Sequence, residues 1–301
     1  MTDGPEPIDV LAEATGTHPP SLYRLVRGLG SLGVVREKEH GEFETTAMGR
    51  CLATGSPGGL RARAILCGAE WYAAWGELLH SMRTGQTAFD RVHGTAFFDW
   101  YAANAAGAAI FDEAMASSTE GVARAVAGTY DFSQCGTIVD VGGGTGALLA
   151  AVLQSNPQLR GVLFERPNEV AAAQEFLSAA SVADRCDIVA GDFFEGVRDG
   201  GDIYLLSWVI HDLDDDRSAT ILRNCRRAMA KDARLLLVEQ VVPPGNEPSL
   251  SKLYDLHMLV LAGGCERTEA EFRRLLGSAG LQLARIIPTD VPRSIVEAVP
   301  R

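Results

Sequence analysis

One histidine and two acidic residues in the last third of the sequence have the chemistry of a proton-transfer site. His211 follows an apolar, strand-like run, and an unperturbed imidazole pKa of about 6.5 suits a proton acceptor near neutral pH. Glu239 ends the next such run and could accept a hydrogen bond from the far ring nitrogen, which would fix the tautomer. Glu266 is a second candidate for this supporting role. A surface or helix-capping histidine is the alternative interpretation.

A glycine-rich loop further upstream has the spacing Asp-x-Gly-x-Gly-x-Gly. It lies between a predicted buried strand, Ile138 to Val141, and a predicted helix that starts at Ala147. Glycine permits positive φ and the close approach of a ligand. The spacing differs from the dinucleotide pattern G-x-G-x-x-G and favours a nucleoside that carries an amino acid, as in S-adenosylmethionine; a glycine turn without a ligand is the alternative. The loop residues are Asp140, Gly142, Gly144 and Gly146.

Two more acidic residues end predicted strands of the same domain. Glu165 closes the second strand, where a carboxylate can accept hydrogen bonds from both ribose hydroxyls. Asp192 follows the third strand and could accept from an adenine amino group, while the Phe193 ring lies against the base. The alternatives are solvated surface charges and a phenylalanine in the core.

Alternating strands and helices from residue 131 onward predict an α/β domain with a Rossmann-like, doubly wound parallel sheet. Ligands of such sheets bind beyond the carboxyl ends of the strands, and Asp140, Glu165, Asp192, His211 and Glu239 lie at or beyond those ends. We therefore expect these side chains at one edge of the sheet. The predicted strands are 138–141, 161–164, 186–190, 202–208 and 234–238, followed by a hairpin of 281–287 and 295–299.

Residues 8–50 predict a helix, a turn, a second helix and two short strands, which is a winged-helix arrangement. Arg24, Arg27 and Arg36 give it local positive charge, so a DNA-binding, small-molecule-sensing regulator is an alternative function. The helix that would enter the groove is mostly apolar, and the chain has a net charge of −12. We therefore expect no nucleic-acid partner and interpret this α-helical unit as a packing or dimerisation domain.

Residues 60–130 are predicted to be helical and are rich in aromatic side chains. Aromatic residues at helical spacing more often pack in a core than bind a ligand. Here, however, they are more numerous than the contact between two helices requires. We expect Trp75, Phe97 and Met115 to line an apolar pocket for a flat ring system.

The composition of the 301-residue chain is that of a globular protein. An uninterrupted apolar run of membrane-spanning length, about 18 residues, is absent, and the acidic start does not resemble a signal peptide. The six cysteines lie far apart, so we expect reduced thiols, no zinc and a cytoplasmic location.

Four segments resemble the small-molecule O-methyltransferases that include plant caffeic acid and acetylserotonin enzymes and bacterial natural-product tailoring enzymes. They read Asp-Val-Gly-Gly-Gly-Thr-Gly, Gly-Asp-Phe-Phe, Ser-Trp-Val-Ile-His-Asp and Gly-Gly-Cys-Glu-Arg-Thr. The resemblance implies a homodimeric, metal-independent enzyme that uses S-adenosylmethionine, releases S-adenosylhomocysteine and methylates a hydroxyl of an aromatic small molecule. A relative that binds the cofactor but catalyses hydroxylation, decarboxylation or cyclisation is the alternative.

The resemblance also implies roles for individual residues. A histidine matching His211 takes the proton from the phenolic hydroxyl, flanked by acidic residues matching Glu239 and Glu266. Methionines matching Met115 and Met258 help to hold the substrate. The motifs add Ser207, Trp208 and Asp212 to the predicted cofactor site and Phe111 to the predicted substrate site.

The sequence departs from the family pattern at three places. Leu213 stands where many relatives have a tryptophan near the adenine, which leaves Phe193 to pack there alone. Glu-Arg-Pro replaces the commoner Asp-Leu-Pro around Glu165, giving a longer carboxylate for the same task. Relatives carry additional N-terminal helices that interlock in the dimer, whereas this sequence begins almost at the winged helix. We expect residues 1–95 to form the dimerisation domain and 96–301 the catalytic domain, with a helical substrate lid near 96–130.

Overall fold

The computed structural model describes residues 1, 4–39, 41–56 and 58–301. Its internal contacts divide the chain into two compact units. The first unit comprises Met1–Ala69 and Ala106–Ser118, and the second comprises Glu70–Ala105 and Thr119–Arg301. This division differs from the predicted boundary at residue 95, because Glu70–Ala105 packs with the second unit. The assignment of dimerisation and catalysis to separate domains stays a prediction.

The first unit contains the predicted helix-turn-helix and wing. Its three strands form an antiparallel sheet in the order β1, β3, β2, with Val26, Val35 and Phe43 in the core. The sequence predicts the second helix over Leu22 to Leu32, whereas α2 begins at Pro19, because proline is well tolerated in a first helical turn. The elements are β1 (Glu6–Pro7), α1 (Ile8–Thr15), α2 (Pro19–Ser31), β2 (Val35–Glu37), β3 (Glu42–Thr45), α3 (Ala47–Arg50) and α4 (Arg61–Gly68).

Helices dominate the next part of the chain, as the sequence predicts. Phe89 is fully buried, and its ring contacts the rings of Phe97 and Trp100 edge-on. These aromatic side chains therefore form packed core within the second unit. The helices are α5 (Glu70–Gly76), α6 (Leu78–Thr84), α7 (Ala88–His93), α8 (Phe97–Ala103) and α9 (Ala105–Thr129), the last of which contributes to both units.

The second unit is built on a seven-stranded sheet in the order β11, β12, β8, β7, β4, β5, β6. Strands β4 to β8 are parallel, which confirms the predicted doubly wound sheet. The final hairpin is also confirmed, and its second strand pairs antiparallel with β8. These strands are β4 (Thr137–Val141), β5 (Arg160–Glu165), β6 (Cys186–Ala190), β7 (Ile203–Ser207), β8 (Arg234–Glu239), β11 (Leu281–Pro288) and β12 (Ser294–Pro300).

Helices cover both faces of this sheet. Alternate residues of β8 enter different hydrophobic clusters, Leu235 and Leu237 on one face and Leu236 and Val238 on the other, which explains the continuous apolar runs. The remaining helices are α10 (Ala147–Ser155), α11 (Val170–Ala179), α12 (Asp215–Ala228), α13 (Leu250–Leu261) and α14 (Glu269–Ser278); β9 (Val241–Val242) and β10 (Arg267–Thr268) form a small parallel pair.

The strand order reverses at β4, which has β5 on one side and β7 on the other. Beyond the carboxyl ends of two such strands the chain leaves a crevice, which is the usual ligand position in doubly wound sheets. The glycine loop follows β4 and the His211 segment follows β7. Among the described residues, no helix combines the length and apolar character needed to cross a bilayer.

Candidate active site

The glycine loop after β4 adopts the backbone conformation that its composition predicts. Gly142, Gly144 and Gly146 have φ values of 71°, 58° and 80°, which residues with a Cβ rarely adopt. A Cβ on Gly142 would lie 3.1 Å from the Phe193 ring, whereas one on Gly144 would meet nothing within 4 Å. The loop therefore presents bare backbone to open space at Gly144.

Glu165 lies beside this loop, at the end of β5. It is buried, and its Oε2 accepts a hydrogen bond from the backbone N–H of Gly144 at 2.9 Å. Oε1 accepts from the backbone N–H of Arg166 at 2.7 Å. The predicted ribose-binding carboxylate is thus fixed at the edge of the loop by two backbone groups.

Asp140 is fully buried below the loop. Neither carboxyl oxygen has a hydrogen-bond partner within the described part of the chain. Burial and the nearby charge of Glu165 raise the pKa of Asp140 to about 7. A Cβ on Gly143 would lie 2.3 Å from Oδ2 of Asp140, so only glycine fits there. Gly143 is not among the residues predicted from the sequence, where it stands in an uninterrupted glycine triplet with no feature that distinguishes it from its neighbours.

Phe193 lies against the glycine loop, with its ring 3.1 Å from the position of a Cβ on Gly142, and its predicted contact with the adenine base stays a prediction. The side-chain amide of Asn224 donates to the carbonyl oxygens of Phe193 at 2.7 Å and Phe194 at 2.9 Å, which fixes the segment. Asp192 is exposed, and its Oδ1 accepts from the backbone N–H of Phe194 at 2.8 Å. Its role toward an adenine amino group stays a prediction.

His211 is buried in a single helical turn, Ile210–Asp212, after β7. Its Nδ1 lies 3.3 Å from Oε1 of Glu266, and its Nε2 lies 3.3 Å from Oδ1 of Asp212. The preferred partner predicted from the sequence, Glu239, instead accepts hydrogen bonds from the backbone N–H groups of Val209 at 3.3 Å and Ile210 at 3.0 Å. Glu266, the second candidate, therefore supports the ring, because the end of β8 faces the backbone of the loop.

A further layer of hydrogen bonds fixes Glu266. Its Oε1 also accepts from the side-chain amide of Gln240 at 2.8 Å, and its backbone N–H donates to Oδ1 of Asp255 at 3.0 Å. A carboxylate held from two sides presents one oxygen to the imidazole in a defined direction, as an orienting group requires.

The buried guanidinium of Arg267 fixes the loop that carries His211. It donates to the carbonyl oxygens of Ile210 at 2.9 Å and Leu213 at 2.8 Å, and to Oδ1 of Asp215 at 2.9 Å. The sequence analysis missed this residue, although the motif Cys-Glu-Arg-Thr contains it.

The charges around His211 favour its protonated form. Burial lowers the pKa of the imidazole, but the carboxylates of Asp212, Glu239 and Glu266 outweigh burial and raise the pKa to about 9. Burial raises the pKa of both Asp212 and Glu239. Burial acts in the same direction on Glu266, but the hydrogen bond and charge of His211 reverse it, and the pKa of this carboxyl is lowered.

Comparison with known proteins decides the family. A family model described as the O-methyltransferase domain matches residues 75–282. The phenazine O-methyltransferase PhzM of Lysobacter antibioticus is 47% identical over 300 residues, covering 100% of this chain and 88% of that protein. The chain belongs to this O-methyltransferase family.

Two further relatives define the range of this family. The solved structure of the O-methyltransferase NcsB1 from neocarzinostatin biosynthesis, in complex with S-adenosylmethionine and 2-hydroxy-5-methyl naphthoic acid, matches this methyltransferase with a TM-score of 0.85. It is 32% identical, and the match covers 99% of this chain and 90% of that chain. The aclacinomycin 10-hydroxylase RdmB of Streptomyces purpurascens is 38% identical over 287 residues, covering 93% of this chain and 77% of that protein.

S-adenosylmethionine is the cofactor of this methyltransferase, and the residues after β4 and β5 fit it. The open space at Gly144 leaves room for a ligand against the backbone, and buried Glu165 offers a carboxylate at the same point. The buried oxygens of Asp140 face the loop from below. These residues would hold the nucleoside and amino-acid parts, and Phe193 would contact the base.

Ser207 is the last residue of β7, and Trp208 follows it. Strand β7 is the neighbour of β4, which carries the glycine loop. Trp208 has a φ of 62°, which is uncommon for a bulky residue, and its ring contacts His211 edge-on with centroids 5.8 Å apart. Trp208 and Asp212, both predicted for the cofactor, therefore also contact the candidate base. Their part in cofactor binding, with that of Ser207, stays a prediction.

The predicted substrate residues occupy different environments. Trp75 donates from its indole N–H to Nδ1 of His257 at 3.0 Å, and Met258 is buried on the same helix, α13. Phe97 packs against the rings of Phe89 and Tyr101, which is a core position. Phe111 and Met115 are half-buried on α9 in the first unit. Substrate binding by these five stays a prediction, and the sequence analysis missed His257.

The side chains around His211 include several that can bind a metal ion. His211, Glu239 and Glu266 offer ligand atoms within 4.8 Å of one another. Oε1 of Glu266 already faces His211 and accepts from Gln240, and Oε1 of Glu239 accepts two backbone N–H groups. The Oε2 atoms of Glu239 and Glu266 have no hydrogen-bond partner within the described part of the chain, but a cation that bound them together with the imidazole would have to displace the imidazole proton. The hydrogen bonds fit proton transfer better.

Proposed function

We propose that this methyltransferase methylates a hydroxyl group of an aromatic small molecule in bacterial natural-product biosynthesis, with His211 as the general base. The observation that carries the proposal is a buried imidazole held by Glu266 at 3.3 Å, next to the crevice where the glycine loop lies. The relatives support the substrate class, since one acts on a phenazine and another binds a naphthoic acid.

His211 would take the hydroxyl proton through Nε2. Because the Glu266 carboxylate can only accept, a proton on Nδ1 leaves Nε2 as the free acceptor. In the protonated ring, Nε2–H points to Oδ1 of Asp212 at 3.3 Å. The acceptor hydroxyl would therefore take the place of Asp212 at Nε2 once the ring has lost its proton.

The raised pKa of His211 eases the proton transfer itself. A phenol has a pKa of about 10, so transfer to an imidazole of pKa about 6.5 is uphill by a few kcal/mol. With the pKa of His211 raised to about 9, the mismatch falls to roughly 1 kcal/mol. The cost is that most of the base is protonated at neutral pH. When bound, S-adenosylmethionine supplies a methyl electrophile and a positive charge, and a positive charge favours neutral imidazole.

Burial of His211, Glu239 and Glu266 also excludes water from the carboxylate side of the imidazole, whereas Asp212 is half-buried. In a dry site the fixed carboxylates and backbone groups replace solvent around the imidazole, so that the charges need little rearrangement. The role of the chain is therefore to orient the base, hold its proton and keep water out.

Release of S-adenosylhomocysteine with a panel of phenols, naphthols, hydroxyphenazines and aromatic polyketides tests this function. Turnover with at least one hydroxylated aromatic, and none with its O-methylated form, is the expected result. Tight cofactor binding without release from any acceptor would contradict O-methylation.

Hydroxylation or another non-methylating reaction is the second candidate, because the 38% identical RdmB is named a hydroxylase. An imidazole held by a carboxylate favours O-methylation, since a non-methylating enzyme has less need of a poised base. Mass spectrometry of the product separates the two reactions. Methylation adds about 14 mass units per hydroxyl group, and hydroxylation adds about 16.

We expect Glu165→Ala to weaken S-adenosylmethionine binding by about 10- to 100-fold, because hydrogen bonds to a charged group are lost. The loop also loses the acceptor for the N–H of Gly144. Isothermal titration calorimetry measures the change, with Glu169→Ala as the control at a half-buried position of the same segment. An unchanged affinity in Glu165→Ala would rule out its predicted role.

Treatment with excess EDTA is expected to leave the turnover rate within about twofold of the untreated enzyme, because Nδ1 of His211 already faces a carboxylate oxygen of Glu266 that also accepts from Gln240. Loss of activity that a divalent cation restores would show that the three side chains hold a metal.

We also propose that the enzyme works as a homodimer, as the family resemblance implies. Size-exclusion chromatography with light scattering distinguishes a dimer from a 32.1 kDa monomer. A monomeric, fully active enzyme would contradict this part of the proposal.

A further inference from the structure

A buried cation lies at the acidic end of β8 and belongs to none of the motifs in the sequence. Arg293 occupies the turn just before β12, and its side chain is buried. The sheet register pairs the next residue, Ser294, with Glu239 at the end of β8. Arg293 is thereby held at the edge of the sheet where His211 and its carboxylates meet.

Two aromatic rings hold the guanidinium in place. Its carbon lies 4.2 Å from the centre of the Trp208 ring and 6.0 Å from that of Tyr254. The Trp208 ring also contacts His211 edge-on. A guanidinium over an indole face is a favourable and directional contact, so Arg293 and His211 are positioned against the same side chain.

We propose that Arg293 is a positioning residue that balances the buried carboxylates around His211 and so controls the pH range in which the imidazole can accept a proton. This inference rests on the proposed role of His211 as the general base. Arg293 acts through Asp212, Glu239 and Glu266 and does not itself touch the reacting atoms.

The electrostatic effect of Arg293 reaches all three carboxylates. Its charge acts to lower the pKa of Asp212, of Glu239 and of Glu266. Without this cation, the cluster would carry more uncompensated negative charge, and each proton bound to it would be harder to remove. The pKa of proton loss from the cluster would therefore rise.

Groups from every element packed around His211 enter this balance. They are Asp212 on its own turn, Glu239 on β8, Glu266 before β10, Asp255 on α13 behind Glu266, Arg267 on β10 and Arg293 before β12.

Arg293 is a poor candidate for binding an acceptor carboxylate. Its positive charge already acts on the carboxylates of Asp212, Glu239 and Glu266 and favours their ionised forms. A further anion in a site with several nearby carboxylates would be repelled. Balance of the internal charges therefore explains the position of Arg293 better than substrate recognition does.

Titration of the His211 imidazole by NMR tests the inference without any need for turnover. The ring C–H signal is assigned by its loss in His211→Ala. In Arg293→Met and Arg293→Gln the midpoint should move up by about one pH unit, and in Arg293→Lys it should stay within a few tenths of wild type. The acidic limb of kcat/KM should move in the same direction.

Arg285→Met is the matched control, because it removes an arginine from the same hairpin whose partner is Glu297. It should leave the His211 midpoint unchanged. Arg293→Gln keeps a polar group near the carbonyl oxygen of Pro292, which Arg293 contacts, and so carries the test if Arg293→Met does not fold.

A wild-type midpoint in both neutral variants, with rates lowered equally at every pH, would show that Arg293 is only structural and would overturn the inference. If no acceptor is methylated but the midpoint still moves, the proposed function fails while the charge coupling holds. The two failures are thus distinct.

Discussion

His211→Ala is expected to lower kcat by about 10²- to 10⁴-fold while S-adenosylmethionine affinity stays within about threefold of wild type. A positioned general base contributes a factor of this size. The glycine loop after β4 and Glu165, where we propose that the cofactor binds, lie on other strands than the His211 turn. Release of S-adenosylhomocysteine and calorimetry measure the two quantities separately. His18→Ala, at an exposed position of the first unit, is the control.

The pH dependence of kcat/KM in wild type and His211→Ala provides a second test of the general base. Because the base must be unprotonated and the pKa of His211 is raised to about 9, wild-type kcat/KM should rise with pH through the neutral range. It should level off near that pKa. His211→Ala should lack this limb. Turnover close to wild type in His211→Ala, or a limb that persists in it, would assign the base to another group.

The sequence was sufficient to predict which edge of the sheet carries the candidate site residues, because parallel strands all end at the same edge. Glu165, His211 and Glu239 end or follow apolar runs of strand length, and Asp140 lies near the end of another strand. Parallel strands in one sheet bring their carboxyl ends together. The sheet places these residues on that edge as the sequence predicts. Local pattern and topology were sufficient for this part of the site.

The choice between Glu239 and Glu266 could not be made from the sequence. Both are acidic residues near His211, and the choice depends on where a loop outside the sheet returns. Glu266 follows α13, and its position is fixed by Asp255 and Gln240. The position of Arg293 could not be predicted for the same reason. It lies beside Glu239 because of the antiparallel register of β12 with β8.

Close backbone approaches were equally hidden. Gly143 must be glycine because the carboxylate of Asp140 occupies the space of a Cβ, and nothing in a glycine-rich loop distinguishes this position from its neighbours. Gly142, Gly144 and Gly146 need positive φ, whereas Gly143 needs space. Positive φ and the lack of space for a Cβ are different physical requirements, but glycine meets both, so the sequence does not show which one applies.

Gly264→Ala is expected to lower kcat by about 100-fold and to destabilise the fold by about 2 kcal/mol, although residue 264 touches no reacting group. A Cβ there would lie 2.0 Å from the carbonyl oxygen of His211 and 2.5 Å from the backbone carbon of Asp212. Backbone cannot rotate away as a side chain can, so the His211 turn and the Gly264 segment would have to separate.

That separation would act on the base through two contacts at once. The backbone N–H of Cys265 donates to the carbonyl oxygen of His211 at 2.9 Å, and the next residue is Glu266, which orients the imidazole. A shift of about 1 Å between the two segments is enough to misalign a catalytic pair. The loss in kcat and a fall in Tm should therefore appear together, with cofactor affinity changed far less.

Gly196→Ala is the matched control, because a Cβ at this position of the same unit meets nothing within 4 Å. It should match wild type in kcat and Tm. Wild-type values for Gly264→Ala would mean that the segment relaxes freely and that tight packing of backbone on backbone does not hold Glu266 to His211. Lowered stability with an unchanged kcat would separate folding from function and assign Gly264 to stability alone.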